Sequence, residues 1–451
     1  MNTRIKQTVA AALLLCAGLA GMESVIAQDR AQGQRPALAV DKRAVGAFNA
    51  IELSGPFRVI VSEGPARLEL SGEPKQLAEI ESEVRGATLV VRQRSRSGIR
   101  FSWGKRDEQP VVVRIGASGL TSLANHGSGD VELESIGGER FVLASQGPGD
   151  IRARGTVRDL RLTSSGSGDL ELRAVKASNV ELAMSGPGDV RLGGVGNDLS
   201  LRVSGAGDVE VDDLRVARAV VQVSGPGNAT LRGSARELRL EATGSGDFDG
   251  CSLDVEKVSS MQRGPGNVCV AGAIRQFEAE VHGSGDLDAR GLQAGRAVLR
   301  LSGPGNATLS GTADDLRADI KGSGELDAGR LTVKKAAIDN GGPGDVTLAK
   351  VTDSLDASLH GSGDLSAAID GKRVMLRMRG PGNARLDGRA DRIDAELTGS
   401  GTLQARGLSV RQVDINAHGP GSATVNLVRE GAGGRGGELV QVERGGRRQV
   451  N

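Results

Sequence analysis

Leu160-Arg161-Leu162-Thr163-Ser164-Ser165-Gly166-Ser167-Gly168-Asp169-Leu170-Glu171-Leu172-Arg173 is followed six residues later by Val180-Glu181-Leu182-Ala183-Met184-Ser185-Gly186-Pro187-Gly188-Asp189-Val190-Arg191-Leu192. Apolar and polar residues alternate on both sides of each Gly-x-Gly. Period two is the pattern of a strand with one buried face, not of a helix. The text therefore predicts short strands, turned by glycine corners, with their apolar sides directed into a shared interior.

Working outward, the same corner recurs from Gly127 through Gly147, Gly166 and Gly186 to Gly419, in steps of 19 or 20 residues. The middle residue alternates between Ser or Ala and Pro. A fixed period of this size marks a solenoid, in which one unit is stacked on itself. The expected fold is all-β, a right-handed parallel β-helix or β-solenoid of 19–20-residue repeats grouped in a 39-residue double unit. Either the single unit or the pair could form one rung. Ser corners continue as in Leu287-Asp288-Ala289-Arg290-Gly291-Leu292, and Pro corners as in Ala307-Thr308-Leu309-Ser310-Gly311. Like-on-like stacking across a 39-residue coil accounts best for that difference, although two alternating rungs would also produce it.

Gly-x-Gly suits a corner that needs positive φ, or bare Cα atoms where rungs crowd. Pro presets φ and cannot donate to a ladder, which places it in corners. The Asp or Asn that follows can cap nearby backbone N–H groups in an Asx-type turn. From Asp208 this position alternates: Asp208, Asn228, Asp247, Asn267, Asp286, Asn306. Rungs lie ~4.8 Å apart, where two carboxylates repel by roughly 1 kcal/mol in water and about 3–4 at an effective dielectric of 20. Alternation halves the charge of such a column. Asp130, Asp150, Asp169 and Asp189 do not alternate. There, either the column tolerates cations or the two corner types lie on different edges.

The 451 residues carry 57 basic and 56 acidic side chains, so net charge names no polyanionic partner. Aromatics are 2%, with one Trp and no Tyr, which suits a narrow interior filled by Leu, Val and Ala. Arg4 and Lys6 followed by the apolar run Val9–Ala20 read as a signal peptide over residues 1–27, with cleavage after Ala27. A flexible segment is expected over 28–44 and a β cap or head over 45–118, with a short helix or turn from Lys75 to Val84. The solenoid repeats fill 119–428. A cap strand (Glu438–Val442) and a Gly/Arg-rich tail occupy 429–451. No later segment is long and apolar enough for a transmembrane helix. Cys251 and Cys269 stand 18 residues apart, close to one repeat but offset in it, and the sequence leaves their pairing open.

The head text Phe48…Ile51…Gly55…Val59…Gly64, followed by repeated Ser-Gly-x-Gly-Asp-Val/Leu, resembles the head GIN domain family of auto-transporter adhesin head domains, over roughly Val45 to Val425. The resemblance implies a β-solenoid of short parallel strands on a secreted or envelope protein, and it brings no catalytic residues. Fewer than thirty residues follow the last repeat, without amphipathic barrel strands, so no translocator is expected among them.

His126, His282, His360 and His418 all directly precede a first glycine. His282 and His360 are two double units apart, at least about 10 Å, so they cannot share a zinc ion. Ca²⁺ on the Asp column is weighed and set below turn-capping, because Ca²⁺-binding β-rolls place Asp differently and at nine-residue spacing. No Gly-x-Gly leads into a P-loop Lys-Ser/Thr, and no nucleophile elbow or His-Glu-x-x-His is present. No catalytic residue, cofactor or metal site is assigned, and the chain is read as a non-enzyme. The one candidate binding site is the basic loop Arg92, Arg94, Arg96, Arg100, Lys105 and Arg106 around Phe101 and Trp103, suited to anionic surfaces. The alternative for it is a solvated hairpin whose Trp packs on the solenoid end. The expected role is a secreted, adhesin-like or structural envelope protein. Its partners would be envelope glycans or surface proteins, with no specific nucleic acid, and its place periplasmic or at the cell surface. The runner-up is a periplasmic carbohydrate- or envelope-binding protein.

Overall fold

A computed structural model describes residues 38–94, 110–428, 438–443 and 445–450. The leader read at 1–27 lies outside the described residues. From Val131 to Leu427 the chain is a stack of parallel strands. Ile151 pairs with Val131 on one side and Leu170 on the other, and Leu162 lies between Leu143 and Leu182. Each partner is one corner away, so each Gly-x-Gly opens one rung. This corrects the 39-residue coil: Ser and Pro corners alternate within a single column. About twenty residues suffice to encircle an interior this narrow.

The pair nevertheless has a structural meaning. Rungs after small-centred corners run 15 residues, as in Leu170–Met184 and Leu287–Leu301. Rungs after Pro corners run 14 in Ile151–Ser164 and Ala307–Ile320. The ladder absorbs the extra residue by shifting register, for example between Ala289 and Leu292. Most of the shorter rungs make the same turn on a glycine in the left-handed region, such as Gly233 at φ 130° and Gly311 at φ 122°. Leu365–Met378 breaks the alternation with 14 residues and pairs with Ala384–Leu397 without any shift.

Within a rung the inward alternation slips phase twice. Leu170 and Leu172, then Val175 and Ala177, then Val180, Leu182 and Met184 are buried. The chain turns at each slip, giving three short inward-facing runs. A rung alone leaves its apolar edges open. Stacking buries them, at roughly 1.5–3 kcal/mol per fully buried aliphatic side chain.

At the N-terminal end, Ala50–Ser54 and Arg58–Glu63 form a rung whose corner is Ser54-Gly55-Pro56-Phe57. Beyond it, Thr88–Gln93 pairs parallel with Ala50–Ser54, and Val112–Ala117 pairs parallel with Arg58–Glu63. These two strands make an end rung, and residues 95–109 between them lie outside the described residues. Antiparallel strands then close the stack. Arg67–Gly72 pairs with Val112–Ala117, Ala39–Arg43 with Arg67–Gly72, and Ile80–Arg85 with Thr88–Gln93. Arg43 fastens this cap, donating to Ile80 O (2.8 Å), Leu77 O (3.1 Å) and Ser82 Oγ (3.0 Å). The short helix or turn expected over Lys75–Val84 is a single helical turn, Pro74–Leu77. Ile80 to Val84 is strand instead, because its residues complete a hairpin about Gly86 (φ 61°). At the other end, Glu438–Val442 and Arg447–Val450 pair antiparallel with Ala423–Leu427 and Leu403–Ala417.

Cys251 and Cys269 form a disulfide between adjacent rungs, Cα–Cα 5.3 Å. The offset of the two cysteines is accommodated by an irregular ladder, which passes from Gly250↔Val270 directly to Asp254↔Ala271.

Candidate functional site

The corner edge must be understood first, because its conspicuous residues are taken up by stacking. None of the sixteen glycine pairs adopts positive φ. A Cβ on Gly147 would stand 1.9 Å from Gly127 O, and one on Gly246 2.0 Å from Gly227 O. Crowding between rungs, not conformational freedom, therefore demands glycine here. Phe57 occupies a second-glycine position, one that in the rung above (Gly129) has Phe57 O only 1.9 Å beneath it. Phe57 itself has no Gly-x-Gly corner below, so a side chain is tolerated.

The Asp/Asn column is a hydrogen-bonded ladder. Each Oδ1 accepts the backbone N–H of the same position one rung on: Asp189 N to Asp169, 2.9 Å; Asn228 N to Asp208, 2.9 Å; Asn267 N to Asp247, 2.7 Å. The expected Asx turn caps the next rung instead of its own. Both corner types share this one edge, so Asp130 through Asp208 are consecutive neighbours. Arg191 bridges Asp169 and Asp189 at 3.7 and 3.0 Å. At Asn228 and Asn383 the side-chain Nδ2 also donates downward, to Asp208 (3.0 Å) and Asp364 (3.2 Å). The ladder breaks above Glu325 and Thr402, whose side chains do not place an oxygen at that point. Asn125, Gln262 and Asn340 sit just inside the corner, and their amides donate to the carbonyls of Gly129, Gly266 and Gly344. His126 bonds Gln146 (2.9 Å), and His282 bonds Ser302, each one rung on in the same outer column.

Of the basic loop, Arg92 and Arg94 are within the described residues. Both bind Glu81, at 2.9 and 2.7 Å. The Arg94 and then the Arg92 guanidinium hold the Glu81 carboxyl below the usual carboxylate range. Arg96, Arg100, Phe101, Trp103, Lys105 and Arg106 lie outside the described residues. Asp249, Cys251 and Cys269 are the one close set of three metal-type side chains among the described residues, and both thiols are spent in the disulfide.

A second surface was not anticipated. On the face that leads into the corners, four grooves follow one another from Arg140 to Asp319, each sharing at least one lining residue with the next, and together form a shallow trough. The first holds about 570 Å³ and crosses the strands carrying Arg140, Asp159, Asn179, Asp198 and Arg218. Guanidinium and carboxylate groups interleave along the trough, and some join into pairs: Arg161–Glu181 (2.6 Å), Arg218–Glu237 (4.0 Å) and Arg300–Glu280 (2.8 Å). Arg140 and Arg296 have no polar partner among the described residues. Val142, Val220, Val298 and Met261 point outward among the charged side chains of this lining. The signal for this surface lies down outward-facing columns. It is invisible when the sequence is followed along one strand, where apolar alternation dominates.

Similar proteins were found by sequence family and by structure. No curated protein matches the chain. It is similar to the crystal structure of a "putative adhesin" from Bacteroides fragilis, at 17% identity over 64% of this chain and 96% of that one, TM-score 0.23. It is similar to another "putative adhesin" from Parabacteroides distasonis, at 17% identity over 65% and 97%, TM-score 0.31. A "putative lipid binding protein" from the same species matches at 15% identity over 81% and 96%, TM-score 0.21. Likeness this distant carries no ligand across. The sequence family matches in five overlapping segments, 47–173, 155–236, 232–309, 295–368 and 352–432, which follow the stack from its first corner to its last. The chain belongs to the family described as "Putative auto-transporter adhesin, head GIN domain".

Proposed function

We propose that this protein is a non-enzymatic, adhesin-like binding module that works outside the cytoplasm and presents an extended solenoid face to its partner. The observation that carries this reading is the continuous trough from Arg140 to Asp319 on a chain of this family. The trough is long, shallow and charge-balanced, which suits contact with an extended partner. The polar corner residues, which offer the other candidate chemistry, are occupied by inter-rung hydrogen bonds. The apolar run Val9–Ala20 behind Arg4 and Lys6 supports export.

The loop 92–106 is a second candidate surface for anionic envelope components. Its sequence carries no Gly-x-Gly, so the corner repeat does not dictate its residues. Glu81 already engages two of its cations. Beads coated with the purified protein should bind envelope preparations of its own or neighbouring cells above beads coated with an unrelated β-protein. Cell fractionation should find the protein outside the cytoplasm. Equal binding by both bead types would overturn the adhesin reading, and a cytoplasmic location would overturn export.

A further inference from the structure

The face that carries the trough repeats one outward surface three times. Arg140-Phe141-Val142 followed one rung on by Asp159-Leu160-Arg161 recurs as Arg218-Ala219-Val220 with Glu237-Leu238-Arg239. It recurs again as Arg296-Ala297-Val298 with Asp315-Leu316-Arg317. The spacing is 78 residues, four rungs, or about 19 Å along the axis. In each copy the middle residue, such as Phe141, Ala219 or Ala297, is buried and belongs to the fold. The Arg, Val, acid and Arg on either side point outward, where stacking accepts many residues. Between the first and second copies those columns hold Asn179, Glu181, Asp198 and Ser200 instead.

Resting on the adhesin reading above, we infer that this trough binds an extended, uncharged glycan strand that lies along the solenoid axis and meets equivalent contacts every fourth rung. Three features favour that ligand. First, acidic and basic groups interleave, so a polyanion would meet Asp159, Glu181, Glu237 and Glu278 as well as the arginines. Hydroxyl groups can donate to the carboxylates and accept from the guanidinium groups at neighbouring points. Second, the outward valines offer aliphatic surface at the same interval, suited to the C–H faces of sugar rings. Third, the backbone groups of this face are already paired up and down the stack. Peptide strands usually add to a free sheet edge, and the trough offers none.

The test is direct binding by calorimetry of the purified protein to neutral linear oligosaccharides of the cello- and malto-series, from two to eight sugars. Heparin and an unstructured peptide library serve as comparison arms. One variant removes the middle copy (R218Q, V220S, E237Q, R239Q), and a second removes one arginine per copy (R140Q, R218Q, R296Q). All these side chains are outward, and unchanged melting of each variant verifies the fold. For one neutral series, affinity is expected to rise at least tenfold between four and eight sugars, as a second copy is reached. It should change less than threefold between low and high salt. The middle-copy variant should lose the length gain, and the triple variant should bind at least tenfold more weakly. Undiminished binding by both variants overturns the assignment. So does the absence of binding to every neutral glycan, preference for heparin with steep salt dependence, or binding to peptides alone. If envelope adhesion of the coated beads survives in both variants, the trough assignment falls while the adhesin reading stands. If wild-type beads do not adhere, the adhesin reading itself falls.

Discussion

The corner edge and the trough face are built from the same rungs, yet neighbours constrain them very differently. On the edge, each glycine lies under 2.5 Å, in Cβ terms, from a backbone oxygen of the rung below, and each Asp or Asn holds the next rung's amide. A residue there answers to the residue one rung away. On the trough face the same stacking fixes only the inward side chains. What recurs outward at 78 residues is not required by the stack. Strict repetition at one rung thus reports architecture, and repetition at four rungs reports the surface.

The largest test of that contrast uses two glycines. Gly246→Ala places a methyl 2.0 Å from Gly227 O, with only backbone to yield. It should cost more than about 4 kcal/mol or prevent folding. Gly295→Ala, beside the trough, meets nothing within 4 Å and should change stability by less than about 0.5 kcal/mol. Urea denaturation midpoints decide it. Similar costs at the two positions would remove the distinction between edge and face.

The disulfide sharpens the contrast where the ladder between rungs is interrupted. Residues 251–253 have no register partner in the next rung, and the bridge spans that gap. Cys251→Ser with Cys269→Ser should lose about 3 kcal/mol, the loop-closure value for a ring of this size. Reduction of the native protein should do the same. Hydrogen exchange should rise first around 250–256. Protection unchanged there on reduction would show that side-chain packing alone joins these rungs.

This division also explains how much the sequence disclosed. Solenoid, period-two strands and Gly-x-Gly corners were legible because each is imposed afresh on every rung. The rung length was not, because the 15- and 14-residue turns differ by one residue at a glycine such as Gly311, whose left-handed φ is visible only in the backbone. The corner Ser54-Gly55-Pro56-Phe57 escaped notice because this rung, with no Gly-x-Gly corner below it, does not need its second glycine. Asp was read as a cap of its own turn, since no strand-wise reading shows the amide of the next rung. The trough was missed for a related reason. Arg140 and Arg218 become neighbours in meaning only after the chain is wound into rungs. The basic loop was found by composition, yet Glu81, which engages Arg92 and Arg94, comes from the other strand of the cap hairpin.

Smaller effects probe the ladder of the edge. Asp247 accepts from Asn267 N at 2.7 Å, so Asp247→Ala should cost about 1 kcal/mol, the value of one such bond. Asp247→Asn keeps the oxygen in place and should be within about 0.5 kcal/mol of wild type. Asp247→Glu should resemble Ala, as the break above Glu325 indicates. If Glu matched Asn in denaturation experiments, side-chain reach would not be what selects Asp and Asn at this column.

The smallest effect lies on the outward face near the C-terminal end. Arg392, and less strongly Arg373, hold the Asp394 carboxyl below its ordinary value. The corresponding contacts are 2.5 and 3.4 Å. A carboxyl with a lowered folded-state pKa stabilises above its unfolded value, near 3.9, and that contribution disappears as pH falls through the folded value. The urea midpoint of wild type should therefore exceed that of Asp394→Asn by a small constant margin from pH 7 to about 5. The margin should close as pH falls below about 4. High salt should narrow it at neutral pH, because both partners are solvent-facing. A margin that persists undiminished to pH 2 would mean that Asp394 acts through shape or hydrogen bonding in its neutral form. The outward ion pairs would then belong with the edge, as parts that the stack requires, and the division between edge and face would have to be redrawn.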